Sequence, residues 1–287
     1  MSVSSLLMAL LATISRHCLL VLSSTMSTKV AAQISFDKIA GCQAQSRLFW
    51  IACIHMARLA RLVIPHQQHH VIQRGNAGSM IFLDAEDYSS FLDWLRQAAK
   101  LFDVAIHAYV LMPDHLHLLL TPGDEPGLGK MMQWLGRHYV PYFNRKYQRS
   151  GTLWQGRYRA TVIESATYFI PCSIYLESNP QRAGLVQDLL DYTWSSYRHH
   201  VGLLIDPLIT DHSCYWALGN TPFQREAAYK QSLENGLSGR QITEITQATT
   251  KAWMLGSAKF KIEMSKLTER RVEPVKRGRP RKSQENT

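Results

Sequence analysis

Hydrophobic and polar positions along this chain recur with two periods, and the switches between them outline its elements. His69 opens a short run, His70-Val71-Ile72-Gln73-Arg74, that reads as a strand closed by Gly75-Asn76. From Ala85 to Leu101 the period becomes helical, with Phe91, Leu92, Leu95 and Ala99 recurring on one side. Val104 to Leu111 returns to strand character, with Val104, Ile106, Ala108 and Val110 assigned to one face by strict alternation. Met112-Pro113-Asp114 then reads as a turn. In the run that follows, Leu116, Leu118 and Leu120 point one way and His115 and His117 the other. A helix is predicted from Lys130 to Tyr147, with Met131, Leu135, His138 and Tyr142 on its buried stripe, and a last strand from Arg157 to Ile163. The order is βαββαβ, the split βαβ pattern of an α+β fold: four antiparallel strands with helices on one face. The two histidines belong on the other face, which this pattern leaves open.

Beyond the sixth element Ser165 can cap a helix through Asn179, with Pro171 as a kink or a first-turn residue. Tyr175 and Asn179, one turn apart, share a side of it. Residues from Thr221 to Leu267 read as helical, with Leu233, Ile242, Ile245, Trp253 and Leu255 as core positions. The chain therefore divides into an N-terminal stretch over 1–55, a main domain over 56–202, a helical region over 203–270 and a tail over 271–287. The first stretch looks foreign to the rest. Its apolar run from Leu6 to Ile14 is broken at Arg16-His17, too short to span a membrane, and no basic residue precedes it as in a signal peptide. Met56 is the expected start of the functional chain.

Charge narrows the choice of partner. The chain of 287 residues carries a formal +10 and a pI near 9.4, which favours a polyanionic partner. Between Glu125 and Glu164 there is no carboxylate, only Lys130, Arg137, Arg145, Lys146, Arg149, Arg157 and Arg159, interleaved with aromatic residues such as Trp134, Tyr142, Trp154 and Tyr158. Basic groups neutralise phosphates and aromatic faces stack on unpaired bases, so this interval is a candidate nucleic-acid surface; the alternative is a solvated helix face with core aromatics. Arg277 and Arg279 lie in Lys276-Arg277-Gly278-Arg279-Pro280-Arg281-Lys282, whose arginines suit a narrow minor groove, as in an AT-hook. The five cysteines form no CxxC and read as reduced thiols of a cytoplasmic protein.

The chemistry follows from the histidine strand and the tyrosine helix. Two imidazoles on one face can clamp a divalent ion if other groups complete its shell. A phenol and an amide beside them would let a metal polarise a phosphate while the tyrosine oxygen attacks phosphorus. Tyr168, two turns upstream, is a rival nucleophile. Two other functions stay open: a DNA-binding protein without catalysis, and a zinc hydrolase built on His115 and His117.

Five segments, in order, carry a resemblance: His69-His70-Val71-Ile72-Gln73-Arg74-Gly75-Asn76, Leu111-Met112-Pro113-Asp114-His115-Leu116-His117, Gly151-Thr152-Leu153-Trp154-Gln155-Gly156-Arg157-Tyr158, Tyr175-Leu176-Glu177-Ser178-Asn179-Pro180-Gln181-Arg182-Ala183-Gly184 and Trp194-Ser195-Ser196-Tyr197. Over roughly 56–202 the chain resembles the single-tyrosine HUH transposases, in particular the REP-associated, IS200-like branch. The resemblance implies a ferredoxin-like HUH core, Mg²⁺ or Mn²⁺ held by His115, His117 and Asn179, and Tyr175 as nucleophile on single-stranded or hairpin DNA. DNA contacts are expected from Arg74, Arg137, Arg145, Lys146, Arg149, Arg157, Arg159, Arg277 and Arg279. A homodimer is a further expectation, with Tyr175 serving its own subunit or a partner's. Ile174, where the family has a basic residue, Ser178 in place of a usual leucine, and Pro171 depart from its pattern.

Overall fold

The computed structural model describes residues 61–274; residues 1–55, Met56, Arg277 and Arg279 lie outside the described residues. Four strands, β1 (Gln68–Arg74), β2 (Val104–Leu111), β3 (His115–Pro122) and β4 (Arg159–Ile163), form one sheet in the order β2-β3-β1-β4, every neighbouring pair antiparallel. With helices α1 (Ala85–Leu101) and α2 (Gly127–Lys146) this is the ferredoxin-like βαββαβ arrangement. Asp84 caps α1, accepting from the Asp87 amide while Asp87 returns the bond. Val71, Leu116, Leu118 and Leu120 from the sheet meet Phe91, Leu95, Met131, Leu135, Tyr139 and Phe143 from the two helices in one core.

Two corrections to the pattern reading follow from local geometry. The buried stripe of α2 runs through Tyr139 and Phe143, leaving His138 exposed with its ring stacked 3.7 Å from that of Trp134. On β2 the alternation slips: Ile106 pairs with Leu120, but Ala108 already pairs with Leu119. The extra residue, His107, makes a β-bulge. Val104 and Ile106 therefore share a core with Tyr109 and Leu111, while Ala108 and Val110 face the other side.

That other side is not open. The helix carrying Tyr175, α3 (Ser165–Glu177), crosses it, followed after Ser178 by a single turn, α4 (Asn179–Arg182). Glu164, not Ser165, occupies the N-cap position, and Pro171 sits inside the helix without ending it. The chain continues through α5 (Tyr197–His200), α6 (Ser213–Trp216), α7 (Pro222–Asn235), α8 (Gly239–Lys251) and α9 (Ala258–Ser265). Phe169, Cys172 and Leu176 of α3 and Ile245 and Ala248 of α8 cover Ala108, Val110 and Leu119 in a second core. The helices of the C-terminal region thus complete the histidine-bearing face.

Both sheet edges are covered over part of their length. Trp194 to Ser196 pairs with β2 through Leu111 N–H to Trp194 O and Ser196 N–H to Tyr109 O, and Leu255 lies along β4.

Candidate active site

β3 and β1 are in register with Ile72 opposite His117 and Arg74 opposite His115. The period-two alternation that sends Leu116 and Leu118 into the first core sends both histidines to the α3 side. Ring centroids of His115 and His117 are 5.1 Å apart. His117 is buried and His115 partly so. The Tyr175 ring stands edge-on to His117 at 6.1 Å, and the Asn179 amide nitrogen is 3.3 Å from His115 Nε2. Ser178 keeps a helical backbone, so α3 and α4 preserve the one-turn spacing that puts Tyr175 and Asn179 side by side. The structure brings these four side chains together within one chain.

Five residues missing from the sequence reading of the site also reach it. Asp114, read as a turn residue, holds His115 Nδ1 at 2.6 Å. His70 contacts His117, Nε2 to Nδ1, at 2.8 Å, and its Nδ1 lies 3.0 Å from the Thr249 hydroxyl of α8. Thr246, on the same helix, is 3.1 Å from the Tyr175 hydroxyl. Arg182 lies over the Tyr175 ring at 4.1 Å and donates to the Asn179 side-chain oxygen at 3.2 Å. His70 and Arg182 stand in segments already singled out, so their positions were available; the two threonines belong to no motif. Tyr168 is engaged elsewhere, donating to Glu244 at 2.9 Å.

Burial sets the protonation of the histidines. It holds His70 down at about 3 and His117 well below the ordinary imidazole value, His117 being pressed further by His70, His115, Arg74 and Arg182. His115 is lowered by burial too, with Asp114 opposing the shift. Both strand histidines are therefore neutral near pH 7, as metal ligands must be. Their Nδ1 atoms are engaged by Asp114 and His70, so an ion would bind at the two Nε2 atoms, that of His115 exchanging its contact with the Asn179 amide nitrogen for the ion. Two imidazole nitrogens with an amide beside them are a donor set that suits a divalent ion such as Mn²⁺ or Mg²⁺. The Asn179 oxygen faces Arg182, so coordination by it requires the amide to turn. Among the described residues no group of three or more His, Cys, Asp or Glu side chains is placed to hold a metal. A zinc hydrolase on His115 and His117 finds no third His or Cys ligand there.

The basic residues divide. Arg74, Arg157 and Arg159 line, with Ile72, Gln155 and Thr250, a cleft of about 240 Å³ on the side of β1 and β4. Arg137, Arg145 and Arg149 are exposed on or just after α2, which packs against the opposite face of the sheet. Lys146 is not free: its ammonium is paired with Asp84, Glu86 and Asp87 at 2.8–3.1 Å. It ties α2 to the start of α1. Of the interleaved aromatics, Tyr139, Phe143 and Tyr158 are buried.

A ferredoxin-like sheet with paired histidines on one strand, faced by a tyrosine from a crossing helix, defines the class of this domain. Residues 65–179 match the family model of the IS200-like transposases. Among solved structures it is similar to a REP-associated tyrosine transposase bound to a REP hairpin, at 18% identity over 55% of this chain and 96% of that one, with a TM-score of 0.42. It is also similar to a candidate transposase from Deinococcus radiodurans R1, at 24% identity over 41% of this chain and 95% of that one, with a TM-score of 0.29. No curated protein matches. No helix among the described residues is long and apolar enough to cross a membrane.

Proposed function

We propose that this protein cleaves and rejoins single-stranded or hairpin DNA through a covalent bond to Tyr175, as a REP-associated member of its family. The observation that carries the reading is the convergence of Tyr175 and Asn179 on His117 and His115. The Tyr175 oxygen attacks a backbone phosphorus. A phosphorus–tyrosine bond forms, the bond to one deoxyribose oxygen breaks, the phenolic proton passes to solvent, and the released hydroxyl takes up a proton. One phosphodiester is exchanged for another, so a second DNA hydroxyl can reverse the step and join a new strand. His115, His117 and a turned Asn179 amide would hold Mg²⁺ or Mn²⁺, which when bound supplies Lewis-acid polarisation of the scissile phosphate. Arg74, Arg157 and Arg159 lead the backbone toward the histidines, because their cleft opens beside the end of β1 that pairs with His115. The meeting of the four residues within one chain supports Tyr175 serving its own subunit.

The test is cleavage of an end-labelled single-stranded DNA carrying a hairpin, with Mn²⁺. Wild-type protein should nick it, and His115→Ala and His117→Ala should not while remaining folded. Equal nicking by the histidine variants would remove them from the reaction.

A further inference from the structure

We propose that Thr249, acting through His70, fixes which nitrogen of His117 carries its proton, so that helix α8 is part of the metal-holding apparatus. The proposal rests on the reading of His115 and His117 as metal ligands; Thr249 itself is a positioning residue.

Protons along this buried chain of hydrogen bonds can be counted one by one. A threonine hydroxyl has one proton to donate. Thr249 Oγ1 lies 2.8 Å from the Ile245 carbonyl, which can only accept, so the proton is committed there. The same oxygen, 3.0 Å from His70 Nδ1, must then accept from it. A neutral imidazole carries one proton, so His70 Nε2 is left as an acceptor. His117 Nδ1, 2.8 Å away, supplies the donor. The proton of His117 is therefore on Nδ1, and the lone pair is on Nε2.

His115 reaches the same state by a shorter route, because the Asp114 carboxylate at 2.6 Å takes its Nδ1–H. One ligand is oriented by the adjacent residue. The other is oriented by a relay that begins on α8, outside residues 65–179. His70, His117 and Thr249 are 0%, 3% and 3% exposed, so water does not substitute for any link. Thr246, one turn before Thr249, touches the Tyr175 hydroxyl, so one helix contacts both the ligand relay and the nucleophile.

Thr249→Val keeps the shape and removes the acceptor. His70 Nδ1–H would then face a methyl group. Nothing then holds the His70 proton on Nδ1, and once it moves to Nε2 the His117 proton is forced onto its own Nε2 and blocks the lone pair there. Outer partners of metal-bound histidines typically affect affinity by about 10–100-fold.

Two measurements on the full chain decide the matter. Long-range ¹H–¹⁵N spectra of the metal-free protein should show His117 protonated at Nδ1 in the wild type and at Nε2 in Thr249→Val. Mn²⁺ titration followed by electron paramagnetic resonance should show affinity falling about 10-fold or more in Thr249→Val and returning in Thr249→Ser, which keeps the hydroxyl. The proposal is overturned if wild-type His117 carries its proton on Nε2, if Thr249→Val binds Mn²⁺ as wild type does, or if Thr249→Ser fails to restore binding. Should Thr249→Val not fold, the wild-type spectrum and Thr249→Ser still decide it. A wild-type protein that takes up no Mn²⁺ would sink the metal reading instead, and the metal-free spectrum would still judge the relay.

Discussion

Replacing Glu177 by alanine should cost more stability than any surface change in this protein. Glu177 sits two residues after Tyr175, yet it is fully buried and points away from the histidines into the second core. Its carboxylate accepts from the Ser196 hydroxyl, from His200 Nδ1 at 2.7 Å and from the Tyr229 hydroxyl at 2.6 Å. These donors come from the segment beside β2, from α5 and from α7, so one side chain fastens the tyrosine helix to three later parts of the chain. Glu177→Ala strands all three in a dry site. Each unsatisfied buried group costs about 1–3 kcal/mol, and breaking a buried charged network costs about 3–5 kcal/mol. Because domains of ordinary stability hold only about 5–15 kcal/mol, that is a large share of the total. Glu177→Gln keeps one acceptor but sets an NH₂ against a donor, and should lose about 1–3 kcal/mol. Urea unfolding followed by tryptophan fluorescence measures both, with an unchanged m-value marking a pure stability loss. Glu177→Ala within about 0.5 kcal/mol of wild type would refute the reasoning, since that is the range of inconsequential surface substitutions.

Other predictions follow from the same structure. His69 donates from Nδ1 to Gln67 O and accepts at Nε2 from the Ile64 amide; His107 donates to Thr210 O and accepts from Thr121. Each is satisfied only when neutral, and burial lowers each from 6.5 to about 4. A folded value below the unfolded one means their stability contribution is whole above pH 6.5 and is lost as pH falls toward 4, at roughly 1.4 kcal/mol per pH unit for each. His107→Gln should flatten that slope in urea midpoints measured from pH 7 to pH 4.5, and an unchanged slope would contradict the assignment. Lys146→Ala should lower the melting temperature but leave the salt dependence of DNA binding unchanged, whereas Arg157→Ala should reduce the slope of log K against log salt by about one. The reverse pattern would restore Lys146 to the DNA surface. Removing residues 274–287 should weaken DNA binding and flatten its salt dependence while leaving cleavage intact at high enzyme concentration; an unaltered slope would exclude the tail from DNA contact.

Much of the fold was legible in the sequence because its elements keep a clean period: Leu116, Leu118 and Leu120 fix one face of β3, and with it the side on which His115 and His117 stand. What was hidden depends on contacts between distant segments. Alternation alone cannot reveal the bulge at His107, where one extra residue moves Ala108 and Val110 to the other face. Nor does the pattern show that α3 and α8 cover the histidine face, since the α3 segment is apolar nearly all round and names no partner. Lys146 read as a DNA contact by charge, but Asp84, Glu86 and Asp87 lie some sixty residues earlier and meet it only in the folded chain. Tyr175, His115, His117 and Asn179 could be singled out by residue type and spacing, and the structure brings their side chains together. Thr249 could not, because a threonine on a helix carries no such mark.

The central claim is that Tyr175 is the nucleophile on DNA, and its most direct test is the covalent bond itself. Labelled single-stranded hairpin DNA is incubated with the protein and Mn²⁺, run on a denaturing gel, and any adduct digested and mapped by mass spectrometry. Tyr175→Phe removes only the attacking oxygen, so it should bind DNA as the wild type does and form no adduct, while the wild-type adduct should map to a phosphotyrosine at Tyr175. An adduct that persists in Tyr175→Phe, or one mapped to Tyr168 or any other residue, would contradict the account.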